Sequence, residues 1–124
     1  FMPDVGSTMA ESMLQANPKI NILWSENEGG TVGEVIAVRT MGLSGKVFVF
    51  GTDISTQLAE MLAADDNILQ AVTGQAPRSM GGDSVKAALM ALNGEKNEYY
   101  HVVANAFFSR DDQAAVQKFL VDFK

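Results

Sequence analysis

Apolar residues along the chain fall into two kinds of pattern. Ile20 to Trp24, Val47 to Phe50 and Ile68 to Val72 are short, nearly unbroken apolar runs. Runs of that length and β-branched content predict strands covered on both faces. Between and around them the apolar residues recur at helical spacing. Ile54, Leu58, Met61 and Leu62 form one stripe, Val85, Ala88, Leu89 and Leu92 a second, and Val116, Phe119, Leu120 and Phe123 a third. Each stripe predicts a helix with one face turned to a core.

Punctuation residues set the boundaries. A first helix is expected over residues 7–16, capped by Ser7 or Thr8 with Glu11 in capping-box spacing, and closed by Pro18. Gly29-Gly30 breaks the first strand, and Thr31 is placed to cap a helix running to about Met41, which Gly42 and Gly45 end. Asp65-Asp66-Asn67 and Thr73-Gly74-Gln75-Ala76-Pro77 read as turn and loop. A helix over Ser79 to Asn93 ends at Gly94. An aromatic, β-branched stretch from Tyr99 to Phe108 reads as a strand, and Ser109 with Asp112 opens the last helix. The order is α-β-α-β-α-β-α-β-α. Such alternation predicts an α/β fold with an open, mostly parallel sheet in three layers and right-handed crossovers. Folds of this kind usually begin on a central strand, so an amino-terminal portion is expected to be missing.

Composition narrows the functional classes. The 124 residues suit one domain, with 47% apolar and 19% charged residues. A net charge of −6 argues against a nucleic-acid surface, which needs clustered Lys and Arg. No apolar run approaches the roughly 20 residues that span a bilayer, and Phe1-Met2-Pro3 does not open a secretory signal pattern. There is no cysteine and a single histidine, His101, which removes thiolate chemistry and multi-histidine zinc sites. No phosphate-binding glycine motif or nucleophile elbow is present. Gly29 to Gly33 opens a helix, but Glu26 and Glu28 beside it repel an anion. Asp65-Asp66 and Asp111-Asp112 read as a solvated turn and a helix-dipole pair. Trp24 reads as core, and His101 as a packed or edge residue of an aromatic strand. Tyr99 and Tyr100 share that ambiguity. No cofactor is implied, and nothing points to an enzyme.

The polar residues that follow the three apolar runs carry more. Asn27, Asp53 and Gln75 each stand just past the end of a predicted parallel strand. In open α/β sheets ligands bind outside those ends. A lone Asn or Asp there is usually a helix cap, but three ends together describe a polar rim suited to a hydroxyl-rich ligand.

Three stretches then resemble a known family. Asn-Pro-Lys-Ile-Asn-Ile-Leu-Trp-Ser-Glu-Asn-Glu at 17–28, Val-Phe-Val-Phe-Gly-Thr-Asp at 47–53 and Ala-Val-Thr-Gly-Gln-Ala-Pro-Arg-Ser-Met-Gly at 71–81 resemble ribose-type periplasmic binding proteins. Ala-Leu-Asn-Gly-Glu at 91–95 is similar to the end of the helix after their hinge crossing. The resemblance implies a periplasmic subunit that captures a sugar or polyol between two closing lobes and delivers it to the membrane permease of an ATP-driven transporter. It implies that Asn27 and Asp53 bind sugar hydroxyls from the carboxy-terminal lobe and Gln75 from the hinge. Residues 1–74 and 106–124 would form that lobe. Residues 75–105 would be the hinge crossing and a segment packed on the other, missing lobe, with crossings near Thr73–Pro77 and Asn105–Ser109. Glu28 stands where the family commonly has Asp. The family is considerably longer, and the aromatics and arginine that complete its sugar site would lie in the missing part. An uncovered sheet edge would then invite self-association. Two alternatives remain open. One is the effector domain of a sugar-responsive transcription regulator, although Asp66-Asn67-Ile68-Leu69-Gln70 replaces the Pro-x-Leu-Thr-Thr expected there. The other is a stand-alone flavodoxin-like interaction domain, which lacks the acidic cluster and lysine of a receiver.

Overall fold

The computed structural model describes residues 2–98 and 100–123. Nine elements follow in the expected alternation: α1 (Pro3–Ala16), β1 (Ile22–Ser25), α2 (Glu28–Thr40), β2 (Phe48–Thr52), α3 (Thr56–Ala63), β3 (Leu69–Gly74), α4 (Pro77–Leu92), β4 (Ala106–Ser109) and α5 (Gln113–Asp122). The sheet order is β1-β2-β3-β4, and β1, β2 and β3 pair in parallel. The α/β class and the open, mostly parallel sheet are those the alternation predicts. The chain divides into two compact units, residues 1–74 with 107–124, and residues 75–106.

In the first unit α1 packs on α2, α2 on α3, and α3 on α5, so these helices form a continuous row. The core lies between that row and the sheet. Val32, Val35 and Val38 of α2, Leu58 and Leu62 of α3, and Val49, Leu69 and Val72 of the strands are all buried there. Burial of side chains this size contributes roughly 1.5–3 kcal/mol each. The opposite face of the sheet is different. Ile22 is 57% and Trp24 64% exposed, and Phe48 and Phe50 are half-buried. The reading of β1 as covered on both faces, with Trp24 in the core, is therefore corrected. Leu23 and Ser25 of β1 point into the packed layer, because alternate side chains of a strand take opposite faces, and only Leu23 of the large apolar residues is buried there.

Several boundaries differ from the sequence reading, each for a local reason. Helix α1 starts at Pro3, whose ring fixes the dihedral a first helical residue needs. Ser7 and Thr8 therefore lie inside it, and the Thr8 hydroxyl donates to the Asp4 carbonyl at 2.9 Å. Asn27, not Thr31, caps α2; Thr31 is buried one turn in and donates back to the Asn27 carbonyl at 2.8 Å. Ser55 caps α3, so Ile54 precedes that helix. Asp112 itself caps α5, accepting from the Ala115 N–H at 3.1 Å. Strand β3 runs on through Thr73 and Gly74, which shortens the expected loop. Strand β4 is only Ala106–Ser109, and Tyr99, expected to begin it, lies outside the described residues.

Arg110 is a structural residue that periodicity does not reveal. Its guanidinium donates to the carbonyls of Leu69 at 2.9 Å and Met61 at 3.1 Å, and also to that of Ala64. Its backbone N–H donates to the Gln70 carbonyl at 2.8 Å. One side chain thus satisfies orphan carbonyls at the end of α3 and ties them to β3.

The second unit has little core of its own. Helix α4 has no buried residue; Val85, Leu89 and Leu92 of its expected stripe are exposed, Leu92 by 82%. The amphipathic pattern is real, but no described element of this unit covers it. Gly94 takes a left-handed φ of 70° after the helix, as a C′ glycine does. His101 is exposed and outside any strand, with its Nε2 at 3.0 Å from the Asn97 Oδ1. That corrects its reading as a packed or edge residue of a strand.

The contact between α1 and α2 is close enough to exclude a side chain. A Cβ at Gly33 would stand 2.4 Å from the Pro3 carbonyl oxygen and 2.6 Å from the Ser7 nitrogen, both backbone atoms. Gly33→Ala is expected to push α1 off α2 and destabilise the chain by about 1–3 kcal/mol, read as a lower urea midpoint. Gly81→Ala, where a Cβ meets nothing within 4 Å, should leave the midpoint unchanged or raise it.

Candidate functional site

Parallel register decides what meets at the carboxyl edge of the sheet. Ser25 lies beside Gly51, Gly51 beside Val72, and Thr52 beside Thr73, so β1, β2 and β3 end on one edge. Asn27 follows the end of β1, Asp53 that of β2, and Gln75 that of β3.

The structure joins two of these three. The Glu28 N–H donates to the Asp53 Oδ2 at 3.3 Å, linking the first turn of α2 to the end of β2. Beside it, the Asn27 Oδ1 accepts from the Gly30 N–H at 2.9 Å. Both side chains are half-buried. Asn27 is therefore the helix cap that a single residue there suggests, and its amide still stands at the rim. Asp53 has a positive φ of 74°. A non-glycine residue in that region carries strain of about 1 kcal/mol or more, and such strain gathers at functional positions. Gln75 is exposed and begins the second unit.

The site's chemistry is that of recognition. A carboxylate and an amide are each held by a backbone N–H group, beyond the ends of hydrogen-bonded parallel strands. Such groups accept and donate hydrogen bonds to hydroxyls in set directions. The helix α2 N-terminus also lends partial positive charge to the position of Asp53.

The family described as the periplasmic binding protein domain matches residues 2–96. The chain belongs to that family. It is 32% identical over 90 residues to an ABC transporter periplasmic-binding protein, YphF, of Escherichia coli; the match covers 73% of this chain and 27% of that protein. It is also 32% identical over 78 residues to the D-allose-binding periplasmic protein of the same organism, covering 63% of this chain and 24% of that one. Among solved structures, an ABC transporter periplasmic solute-binding protein of Actinobacillus succinogenes with bound D-allose superposes with a TM-score of 0.83 at 24% identity, over 92% of this chain and 39% of the other. The chain thus spans about a quarter of the length of the curated relatives it matches.

In this periplasmic binding protein domain one further acidic residue stands out, and sequence reasoning passed over it. Glu34 on α2 is only 8% exposed, and its Oε2 is buried without a hydrogen-bond partner. Loss of hydration pushes its carboxyl from 4.5 up to about 7. The available signal was a glutamate set inside the apolar run Val32-Gly33-Glu34-Val35-Ile36.

Two outcomes follow. Asn27→Ala should lower stability by about 1 kcal/mol through loss of the α2 cap, while Asn27→Asp, which caps equally well, should not; denaturant midpoints read both. Glu34 binds its proton more tightly folded than unfolded, so its contribution to stability is fully present below pH 4.5 and is lost as pH rises through about 7. Glu34→Gln should therefore match the parent near pH 4.5 and exceed it by roughly 3 kcal/mol near pH 8, in urea unfolding at both pH values.

Proposed function

We propose that this chain is the greater part of the carboxy-terminal lobe of a two-lobe, periplasmic solute-binding protein, together with a hinge segment, and that the whole protein captures a sugar or polyol for ATP-driven import. The observation that carries the reading is the coupled pair at the sheet edge. Asp53, strained to a positive φ, is held by the Glu28 N–H directly beside the Asn27 cap. In a member of the periplasmic binding protein family, that fixed carboxylate and amide suit sugar hydroxyls.

Residues 1–74 and 106–124 are assigned to the carboxy-terminal lobe, and residues 75–105 to the hinge crossing and a segment that packs on the other lobe. The uncovered stripe of Val85, Leu89 and Leu92 on α4 supports that last assignment, since a second lobe would bury it. Gln75, the first residue after β3, contributes from the hinge. The names of the two relatives, a transporter's binding protein and an allose-binding protein, support a sugar ligand, a permease partner and a periplasmic location. The part here encloses one side of a ligand, and affinity needs the enclosing surface of both lobes. Binding is therefore a property of the longer protein. No catalytic group is required, because capture proceeds by hydrogen bonding and closure alone.

Native mass spectrometry of the protein from the complete reading frame that encodes this sequence tests the proposal, against a panel of pentoses, hexoses and polyols. A single sugar-sized adduct is expected, and Asp53→Gly should abolish it. Glycine accepts the left-handed φ without strain, so that variant should keep its thermal midpoint while losing the ligand. Absence of any adduct across the panel, or an adduct that survives Asp53→Gly, would overturn the reading.

A further inference from the structure

Alternate residues of β2 face the helix layer, and there they differ sharply in size. Val49 carries a branched side chain, whereas Gly51, two residues nearer the carboxyl edge, carries none; both are buried. The space above Gly51 is taken by Thr31 of α2. A Cβ at Gly51 would lie 2.2 Å from the Thr31 Oγ1, 2.4 Å from its Cγ2 and 2.9 Å from its Cβ. Beside it the arrangement is reversed. A Cβ at Gly30 of α2 would lie 2.0 Å from the Oγ of Ser25, the residue of β1 registered with Gly51. Each strand end therefore meets the helix through one hydroxyl residue and one glycine. The first turn of α2 sits closer to the sheet than a side chain at either glycine would permit.

Thr31 has little room to yield. It is fully buried, β-branched and so restricted about χ1, and its hydroxyl donates to the Asn27 carbonyl at 2.8 Å. Turning the side chain away from a methyl group added at Gly51 would break that bond inside the core. Relief would come instead from movement of the helix, by about 1 Å to reach ordinary van der Waals separation.

The rim depends on that seat. Glu28 lies three residues before Thr31, on the same face of α2. Its N–H reaches the Asp53 Oδ2 at 3.3 Å, already long for such a bond. Asp53 lies two residues after Gly51. A helix shift of about 1 Å at Gly51 thus breaks the Glu28–Asp53 bond, withdraws the positive end of the α2 dipole from the carboxylate and displaces the Asn27 cap. On the sugar-capture function proposed above for the longer protein, we propose that Thr31 and Gly51 are positioning residues for the ligand. Their contact seats the first turn of α2 at the height that sets Asn27 and Asp53 to meet hydroxyls. Both residues are buried beneath the rim, and neither is asked to touch the sugar.

A role confined to stability would read out differently. Overpacking that only lowers global stability speeds exchange alike for all amides protected by global unfolding, whereas a lost seat frees the amides at the start of α2 alone.

Protein from the complete reading frame would be titrated calorimetrically with each D-aldopentose, each D-aldohexose and the corresponding alditols. Gly51→Ala should weaken binding of the sugar that the unaltered protein takes by about tenfold or more, the effect of losing one hydrogen bond to a charged group. Without ligand, its Glu28 amide proton should exchange several-fold faster by NMR, while that of Val49, bonded to the Ile68 carbonyl, keeps its rate. Thr31→Gly removes the three atoms nearest the added methyl group. Combined with Gly51→Ala, it should restore affinity to within about threefold of the parent, as a coupled pair does. That exchange of side chains decides the matter by itself if Gly51→Ala folds too poorly to assay. Undiminished binding by Gly51→Ala, an unchanged Glu28 rate, equal acceleration at Glu28 and Val49, or no recovery in the double variant would overturn the assignment. Failure of the unaltered protein to bind any of these sugars would overturn the sugar-capture reading and the positioning role with it. The Glu28 rates, which need no ligand, tell the two failures apart.

Discussion

Parallel hydrogen bonding between β1, β2 and β3 is the constraint on which the rest of this structure depends. Parallel neighbours cannot be joined by hairpins, so each connection must climb back along the sheet, and a helix does that while covering the apolar face. The helices α2 and α3 are therefore as much a consequence of strand direction as of their own stripes. The same direction sends every connection out of the sheet at one edge. Asn27 and Asp53 meet there because Ser25 is registered with Gly51, not because they are near in sequence. A one-residue slip of β1 against β2 would turn Leu23 out of the core and carry the Glu28 N–H away from Asp53.

The unfavourable features of the fold are local and each has a holder. Asp53 sits at a positive φ and is fixed by the Glu28 N–H at the start of α2. The carbonyls at the end of α3 lack helical partners, and the Arg110 guanidinium supplies donors to those of Met61 and Ala64. Arg39 and Arg110 both reach Asp66 in the turn before β3. Glu34 is the exception, with desolvation and no donor. The distribution is informative. The unpartnered desolvated carboxylate lies beside β1, while left-handed non-glycine residues occur both at Asp53 after β2 and at Asn67 in the turn before β3, and Arg110 and Gln113 donate to carbonyls of α3. The chain spans about a quarter of the length of its curated relatives, and β1 and α4 each present an uncovered apolar face.

Much of the fold was legible in the residues. Three strands and three helices were marked by their period, since a buried strand and an amphipathic helix impose different spacings on apolar side chains; α1 and α2 were marked by capping and Gly or Pro punctuation, and β4, only Ala106–Ser109, by composition. The rim was legible too, because a polar residue at the end of an apolar run must sit at a strand terminus. Exposure was not. Ile22 and Trp24 have the composition of a doubly covered strand, yet both are mostly exposed. Periodicity reports which side chains share a face, and says nothing of whether another element lies on that face. Val85, Leu89 and Leu92 make the same point on α4.

By itself, then, the sequence determined the order and type of the elements, the mostly parallel sheet, and which polar residues stand at its carboxyl edge. These follow from local spacing and chain connectivity, which are written in one dimension. Only the tertiary structure decided that Asn27 acts as the α2 cap while Asp53 is strained and tied to Glu28, that Arg110 closes α3 from 46 residues away, and that Glu34 is buried without a partner. Those depend on distances between segments far apart in the chain. Desolvation and hydrogen-bond geometry change within an ångström or two, a scale that residue type and spacing do not encode.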